Sequence, residues 1–263
     1  MLRSTMGSGN RAVLSSASPD ESLCGRLRAW YETPLGQSLA AEELGAVRDA
    51  MANLFGYHVL LIESPWSADP LDTSRIPHKI QLDDAPPGAS NYSLAGSSTA
   101  LPIETDSLDV IVLPHVLERS RDPHQVLREV DRCLIPEGHV IVLGFNPFSL
   151  WGLWRVLIGW RGQAPWCMPF LGLTRIKDWL ALLGFDVLQA RNLYHRPPVQ
   201  NTAALERLAA LERLARHGWP FPAAAWQLLA RKRVFTVTPI RPRWRPRRGV
   251  LGAGVAQPTP RGT

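Results

Sequence analysis

Apolar residues recur at two different spacings along the chain, and these spacings alternate. From Ser22 to Phe55 they follow a helical period, which predicts one or two helices with a break at Pro34-Leu35-Gly36. Short apolar runs bounded by turn residues then predict strands at residues 58–63, 79–82 and 92–94. Alternating helices and strands are typical of an α/β domain.

The middle of the chain has the clearest pattern. Residues 108–113 form an apolar run that predicts a strand, and Asp122 and Pro123 predict the N-cap and the first residue of a helix. That helix is expected to reach Leu134 before residues 136–138 stop it, and residues 139–143 predict the next strand. A strand, a helix and a strand joined by short turns favour a right-handed crossover in a parallel sheet.

The last third of the chain predicts further helices and strands and then a tail. Thr174 is expected to cap a helix that runs through Leu183, and residues 185–188 predict a strand. Residues 202–216 predict an amphipathic helix, and residues 226–237 predict one or two strands with residues 231–233 between them. We therefore expect a flexible N-terminus (1–21), one domain (22–238) and a disordered basic tail (239–263). A tryptophan-rich insertion (145–170) lies within that domain.

Length and composition are those of a folded soluble protein. The chain has 263 residues, of which 45% are hydrophobic and 20% charged, which excludes a disordered chain, a collagen and a coiled coil. No apolar run reaches the roughly 18–20 residues that span a bilayer.

The net charge of +6 belongs to the tail. Of the 29 Lys and Arg residues, six are arginines after Thr238, so the remaining 23 equal the 23 Asp and Glu residues. A neutral body argues against nucleic-acid binding by the folded domain.

Cysteine usage indicates the compartment. Cys24, Cys133 and Cys167 are far apart and form no CxxC pair, which fits a reducing environment and predicts no metal site. The first twenty residues lack the apolar core of a secretory signal. We expect a cytoplasmic protein, and contact with the inner face of the membrane stays open.

Ordered motifs in the central block resemble a known enzyme family. The chain reads LPIETDSLD from Leu101, HVLE from His115, DP at Asp122 and LREVDRCLIPEG from Leu127. This order is similar to the pattern of the type 11 family of class I S-adenosylmethionine-dependent methyltransferases, which contains ubiquinone and menaquinone biosynthesis enzymes. Residues 144–153 and 178–185 resemble a bacterial subgroup of that family.

The resemblance implies a fold, a cofactor and a reaction. The fold is a Rossmann-like α/β sheet, mostly parallel with an antiparallel last strand and with helices on both faces. The implied cofactor is S-adenosyl-L-methionine and the partner a small-molecule acceptor, apolar in one interpretation. In such folds the ligand lies beyond the carboxyl ends of the strands, where the strand order reverses. The positions that correspond to the family's cofactor contacts are Glu63, Ser64, Trp66, Asp83, Ser97, Pro114 and His115.

The turn after the first strand departs from the family pattern. The family has acid-x-Gly-x-Gly where this chain has Glu63-Ser64-Pro65-Trp66-Ser67, and without glycine a positive φ and a close approach to the ligand are costly. Trp66 stacks on the adenine in one interpretation and fills the ligand's space in the other.

Three further positions have open roles. Asp83 stands where a ribose-binding acid is expected, although it also reads as a solvated loop residue, and Ser97 replaces the acid that contacts the adenine. Pro114 and His115 match the loop that covers the ligand, and His115 is either part of the site or a satisfied core histidine. Arg119 replaces the family's second histidine.

No catalytic residue is assigned from the sequence, because methyl transfer relies mainly on positioning the acceptor. His115 and His195 are the two candidate bases, and Glu118 is as readily an ion-pair or helix-capping residue as a functional one.

The tryptophan-rich segment has three interpretations. It holds Trp151, Trp154, Trp160 and Trp166 after the fifth strand, where related enzymes build the acceptor pocket, so Asn146 and Trp151 are candidate substrate contacts. The segment forms an aromatic cap over the acceptor, a helix at a membrane interface, or an added helix packed on the sheet. The chain as a whole is then a methyltransferase or a non-catalytic scaffold that retains the fold. A third hypothesis is a peripheral membrane protein, with or without catalysis, that the tryptophan-rich segment and the arginine-rich tail anchor weakly.

Overall fold

One seven-stranded sheet organises the chain. The computed structural model describes residues 19–83, 93–159, 162–199 and 222–233. The helices in this part are α1 (Pro19–Tyr31), α2 (Pro34–Met51), α3 (Val116–Arg119), α4 (Pro123–Cys133), α5 (Leu150–Ile158) and α6 (Leu173–Leu182). The strands are β1 (His58–Ile62), β2 (His78–Asp83), β3 (Ser93–Ala95), β4 (Leu108–Pro114), β5 (Leu134–Phe145), β6 (Phe185–Leu193) and β7 (Ala225–Lys232).

The strand order is β3-β2-β1-β4-β5-β7-β6, and β7 alone runs antiparallel to its neighbours. This arrangement confirms the predicted sheet, including its antiparallel last strand. The order reverses between β1 and β4, because the chain moves outward from β1 to β3 and then returns to place β4 on the other side of β1. Ligands of open α/β sheets bind at such a reversal.

Each central strand contributes to two hydrophobic cores. Val59 and Leu61 of β1 join the core under α1 and α2, whereas Leu60 and Ile62 join the core under α4 and α6. Successive side chains of a strand point to opposite faces, so a continuous apolar run is what a sheet covered on both sides requires. This explains why the strands were recognisable in the sequence.

The predicted start of α4 is confirmed, and the predicted junction after it is wrong. Asp122 caps the helix by accepting from the backbone N–H of Gln125 at 3.0 Å. The helix ends at Cys133 and β5 begins at once with Leu134, which pairs with Leu108 of β4. Residues 136–138 therefore lie within the strand, at a register irregularity in which Glu137 has φ of 64°.

Two predicted boundaries at the C-terminal side also need correction. Gly172, and not Thr174, is the N-cap of α6, so Thr174 lies inside the first turn. Arg231 and Lys232 belong to β7 and do not separate two strands, because β7 is hydrogen-bonded to β5 and β6 on its two sides. Lys232 reaches the carbonyls of Asp131 and Leu134 at 2.6 and 2.9 Å.

Several predictions lie outside the described residues. They are the helix at 202–216, the residues of the final strand after 233, the basic tail and residues 1–18 of the predicted flexible N-terminus. The last three residues of that N-terminal segment, 19–21, are described and belong to α1. Within the described part, no helix is long and apolar enough to cross a bilayer.

Candidate functional site

Two backbone outliers mark the carboxyl ends of β1 and β4. Glu63 directly follows β1 with φ of 46°, and His115 directly follows β4 with φ of 55°. Both are non-glycine residues in the left-handed region, a conformation that costs free energy and occurs often at functional sites. Open α/β sheets bind their ligands beyond such strand ends, so we use the term crevice for the region beyond β1 and β4, extended to the end of β2.

Two arginines hold the turn after β1. Arg119 donates through Nη2 to the carbonyl of Glu63 at 3.0 Å and lies 3.1 Å from its carboxylate. Arg28 of α1 donates through Nε to the carbonyl of Ser64 at 2.9 Å. The positive φ in this turn is that of Glu63, and a buried ion pair with Arg119 keeps the residue in place.

The second wall of the crevice is the end of β2. The carboxylate of Asp83 accepts a hydrogen bond from Nη2 of Arg28, and its side chain is largely buried. Asp83 is therefore not a solvated loop residue. Ser97, beyond β3, is exposed, and its hydroxyl bonds to Thr99 at 2.9 Å.

A buried polar cluster joins α1 and α2 to the ends of β1 and β4. Its members, which we call the His115 cluster, are Tyr31, Glu43, Trp66, His115 and Glu118. His115 is fully buried, with Nδ1 at 2.9 Å from Glu118 and Nε2 at 3.0 Å from Glu43. Tyr31 and Trp66 both donate to the other oxygen of Glu43, at 2.7 and 3.1 Å. Trp66 and His115 are thus packed and bonded within the protein.

The charges in this cluster decide its protonation. Burial lowers the pKa of His115, but the charge of Glu43 and the hydrogen bonds with Glu118 and Glu43 outweigh burial and raise it to about 9. Both ring nitrogens therefore carry protons near neutral pH, and each donates to a carboxylate. Burial raises the pKa of Glu118, against the opposing effect of His115. Burial and the charge of Glu43 also raise the pKa of Tyr31 well above its usual value.

Glu118 joins the cluster to the neighbouring strand. Its second oxygen accepts from the backbone N–H of Phe145 at 2.6 Å, at the end of β5. The ring of Phe145 stacks on His115 at 4.1 Å and on Phe170 at 4.9 Å. These stacked rings connect the end of β4 to Phe170.

A cavity lies beyond the end of β5. It has a volume of about 600 Å³, and its lining includes Asn146, Phe148, Phe170, Leu173 and Trp226. Asn146 is fixed by bonds from its side chain to the carbonyl of Ala223 and the N–H of Phe148, both at 3.0 Å. We call this space the acceptor cavity. The lining is mainly apolar, with the charged Arg175 and Asp178 also present.

The other candidate residues lie elsewhere. Trp151 is 1% exposed, bonds to the carbonyl of Arg196 at 2.9 Å and packs against Trp166 and Tyr194 in the core. His195 lines another cavity of about 550 Å³, between α2 and the end of β6. The described residues contain no group of three His, Cys, Asp or Glu side chains that could hold a metal ion.

Comparison with known proteins gives a family match for part of this chain and structural neighbours for its fold. Residues 72–142 match the family model described as a methyltransferase domain. Residues 72–142 thus carry a methyltransferase domain, and the sheet has the class I methyltransferase fold. Such a domain implies an enzyme that transfers methyl groups and S-adenosyl-L-methionine as its cofactor.

Three individual proteins show the extent of the similarity. The chain is 29% identical over 168 residues to the Uncharacterized protein YafS of Escherichia coli K12, covering 64% of this chain and 69% of YafS. A SAM-dependent methyltransferase from Thermotoga maritima has a TM-score of 0.56 at 14% identity, covering 81% of this chain and 97% of that one. Another from Archaeoglobus fulgidus has a TM-score of 0.51 at 16% identity, covering 72% and 93%. The two structures establish the likeness of fold.

The methyltransferase's own residues fit the cofactor in part. Asp83 provides a carboxylate at the strand end where ribose hydroxyls need an acceptor, and Arg119 has a buried Nη1 with no hydrogen-bond partner in the described structure. An orphaned buried donor of this kind suits an anionic ligand group. Ser97, already bonded to Thr99, supplies no acid for the adenine. The residues present therefore fit the ribose and the carboxylate of the cofactor, but they provide no acid for its adenine.

Sequence reasoning missed three residues that shape the site. Arg28, Tyr31 and Glu43 come from α1 and α2, outside every motif of the resemblance. One signal was present for Glu43: it lies four residues from both Leu39 and Val47, on the apolar face of its helix. A lone acid on a buried face indicates a buried partner, but it does not say which one.

Proposed function

We propose that this methyltransferase transfers the methyl group of S-adenosyl-L-methionine to a small, mainly apolar acceptor bound in the acceptor cavity. The observation that carries the proposal is the position of this cavity next to the crevice. Phe170 lines it, and the stacked rings of Phe170, Phe145 and His115 connect it to the end of β4. Ligand sites of this size are mostly apolar, with a few fixed polar groups that orient the ligand.

Asp83 and Arg119 are the residues that we propose to hold the cofactor. Asp83 accepts from the ribose hydroxyls, which requires Arg28 to give up its bond to this carboxylate. Arg119 presents Nη1 to the carboxylate of the cofactor while its other nitrogens stay on His115 and Glu63. Glu63 and Ser64 form the backbone edge of the site, next to Pro114, and Trp66 supports them from the His115 cluster. The cofactor supplies a methyl group that its sulfonium already activates.

Catalysis on this proposal rests on orientation. Holding acceptor and methyl donor in line removes much of the barrier to a reaction between them. His115 has both ring nitrogens bonded to carboxylates, so it acts by fixing the end of β4 and not as the base. Asn146, held rigidly at the acceptor cavity, is the residue that we propose to orient the acceptor.

We also propose a cytoplasmic location with a weak contact to the inner face of the membrane. The three cysteines are free thiols. The folded body has no net excess of positive charge, which argues against nucleic acid as its partner.

The experiment for the acceptor class uses methyl-labelled S-adenosyl-L-methionine with an extract of small molecules from bacterial cells. We expect label to enter the fraction that partitions into organic solvent, and Asp83→Asn to reduce this transfer strongly at cofactor concentrations that do not saturate the variant. Asp72→Asn, an exposed aspartate outside the crevice, serves as the matched control and should retain it. Label confined to water-soluble products would contradict the apolar acceptor. No transfer to any fraction would contradict the methyltransferase proposal itself.

A further inference from the structure

Helix α5 turns a large apolar face toward solvent. Leu153, Trp154, Val156 and Leu157, which we call the α5 face, are 59%, 41%, 75% and 58% exposed. Phe148, just before the helix, is 83% exposed. Large apolar side chains gathered on one surface usually mark a site of contact with another molecule or a membrane.

The opposite side of the helix fixes this orientation. Trp151 and Gly152 are buried, and a Cβ on Gly152 would lie 1.8 Å from the carbonyl oxygen of Pro147. Arg155 donates to the carbonyl of Met168 and lies over the ring of Phe170 at 5.5 Å. The helix therefore cannot roll to bury its apolar face without breaking these contacts.

The sequence that contains this face has an excess of positive charge. Between Glu137 and Asp178 there is no acidic residue, and the described cations are Arg155 on α5 and Arg175 and Lys177 on α6. Arg175 lines the acceptor cavity together with Phe148, and Asp178 also lines it. Apolar and aromatic side chains on one face, with arginine and lysine nearby, are the features of helices that lie in the interface of anionic membranes.

We propose that the α5 face and Phe148 dock on an anionic lipid bilayer. The apolar side chains enter the boundary between headgroups and acyl chains, and the cationic residues contact lipid phosphates. Stable anchoring to a membrane generally takes two signals, and each is weak alone. The acid-free segment supplies both, so we expect reversible binding that depends on anionic lipid and weakens with salt.

The docking surface adjoins the acceptor cavity. Phe148 is part of both, and Arg175 lines the cavity in the acid-free segment. An acceptor dissolved in the bilayer would thus reach the cavity without crossing water. This consequence for the substrate rests on the proposed methyl transfer, whereas the lipid contact itself does not.

Vesicle flotation of the full chain tests the proposal. We expect binding to vesicles of phosphatidylcholine with phosphatidylglycerol and much less binding to phosphatidylcholine alone. Val156→Asp/Leu157→Asp should lose at least about tenfold in binding, because two charges would enter the apolar boundary. Leu182→Asp is the matched control, since Leu182 is 84% exposed on α6, and it should bind like the native protein.

Three results would overturn the proposal. The first is equal binding of the native and the doubly substituted protein. The second is loss of binding only in Arg245→Gln/Arg247→Gln/Arg248→Gln, which would assign the contact to the tail. The third is a native dimer that the α5 variant converts to monomer without lipid, which would make the face a contact between two copies. Circular dichroism and calorimetry with S-adenosylhomocysteine verify that each variant is folded. If the double variant does not fold, Trp154→Ser replaces it.

The two proposals fail in different ways. A native chain that floats with the vesicles but binds no S-adenosylhomocysteine would refute only the proposed methyl transfer.

Discussion

Arg28 on the first helix donates to the carboxylate of Asp83 at the end of the second strand. The same guanidinium holds the carbonyl of Ser64, so one side chain bridges both walls of the crevice. Asp83 is the group that we propose to accept the ribose hydroxyls, which makes Arg28 its competitor. Binding of the cofactor must then exchange an ion pair for hydrogen bonds to the ribose.

Replacing Arg28 should strengthen cofactor binding. In Arg28→Ala no ion pair has to be broken, and Asp83 is free to accept from the ligand. Because the arginine is partly exposed, the gain is small, about fivefold or less in the dissociation constant of S-adenosylhomocysteine. Calorimetry measures it, and Arg26→Ala on the same helix is the control, since Arg26 bonds to Gly162 instead. Weaker binding by Arg28→Ala would identify the arginine as a ligand contact.

Removing the charge of Asp83 should have the opposite effect. Asp83→Asn keeps the shape of the side chain but loses the anionic acceptor, so we expect binding of S-adenosylhomocysteine to fall by about 10- to 100-fold. The dissociation constant from calorimetry is again the measurement, with Asp72→Asn as the control. Unchanged affinity would place the ribose elsewhere.

The His115 cluster predicts a loss of stability at alkaline pH. The pKa of His115 rises from 6.5 to about 9 on folding. Its contribution to the free energy of unfolding is therefore complete below pH 6.5 and disappears as the pH passes through about 9. The raised pKa of Glu118 acts in the same direction, since a proton held more tightly in the folded state favours folding at low pH. The shift of His115 alone corresponds to roughly 3 kcal/mol.

Urea denaturation between pH 6 and pH 10 measures this dependence. His115→Gln should be less stable at neutral pH and should have a flatter profile than the native protein. If that variant does not fold, Glu118→Gln takes its place. A native profile as flat as that of the variant would argue that His115 is buried in its neutral form.

The two tryptophans of α5 should respond very differently to truncation. Trp151 is fully buried and surrounded by aromatic rings, so Trp151→Ala should lower the free energy of unfolding by about 3–5 kcal/mol. Trp154 is on the exposed face of the same helix, and Trp154→Ala should cost about 1 kcal/mol or less. Thermal or urea denaturation gives both values. Similar losses for the two variants would mean that the helix is oriented differently.

The sheet was largely predictable because its strands carry a signal of their own. Apart from the strand ends and Asp109, residues 58–62 and 108–113 are apolar, as a strand with two buried faces requires. Asp109 accepts from the backbone N–H groups of Tyr57 and His58, at the start of β1. Residues 134–138 were misassigned because proline and glycine usually end a helix in a turn, whereas here they accommodate an irregularity inside β5.

The site was only half predictable, because its positions follow from the motifs and its contacts do not. The resemblance placed Glu63, Asp83 and His115 at the correct strand ends. Their partners Arg28 and Glu43 are contributed by helices that precede the motif region, and contacts across 55 and 72 residues leave no local pattern. The role of Trp66 as a donor to Glu43 is likewise a product of packing.

Titration calorimetry of the native protein with S-adenosylhomocysteine tests the central claim most directly, namely that the crevice between Glu63, Asp83 and Arg119 binds the cofactor. We predict saturable binding at one site with a dissociation constant in the micromolar range. Absence of binding at millimolar ligand, in protein that circular dichroism finds folded, would contradict the claim.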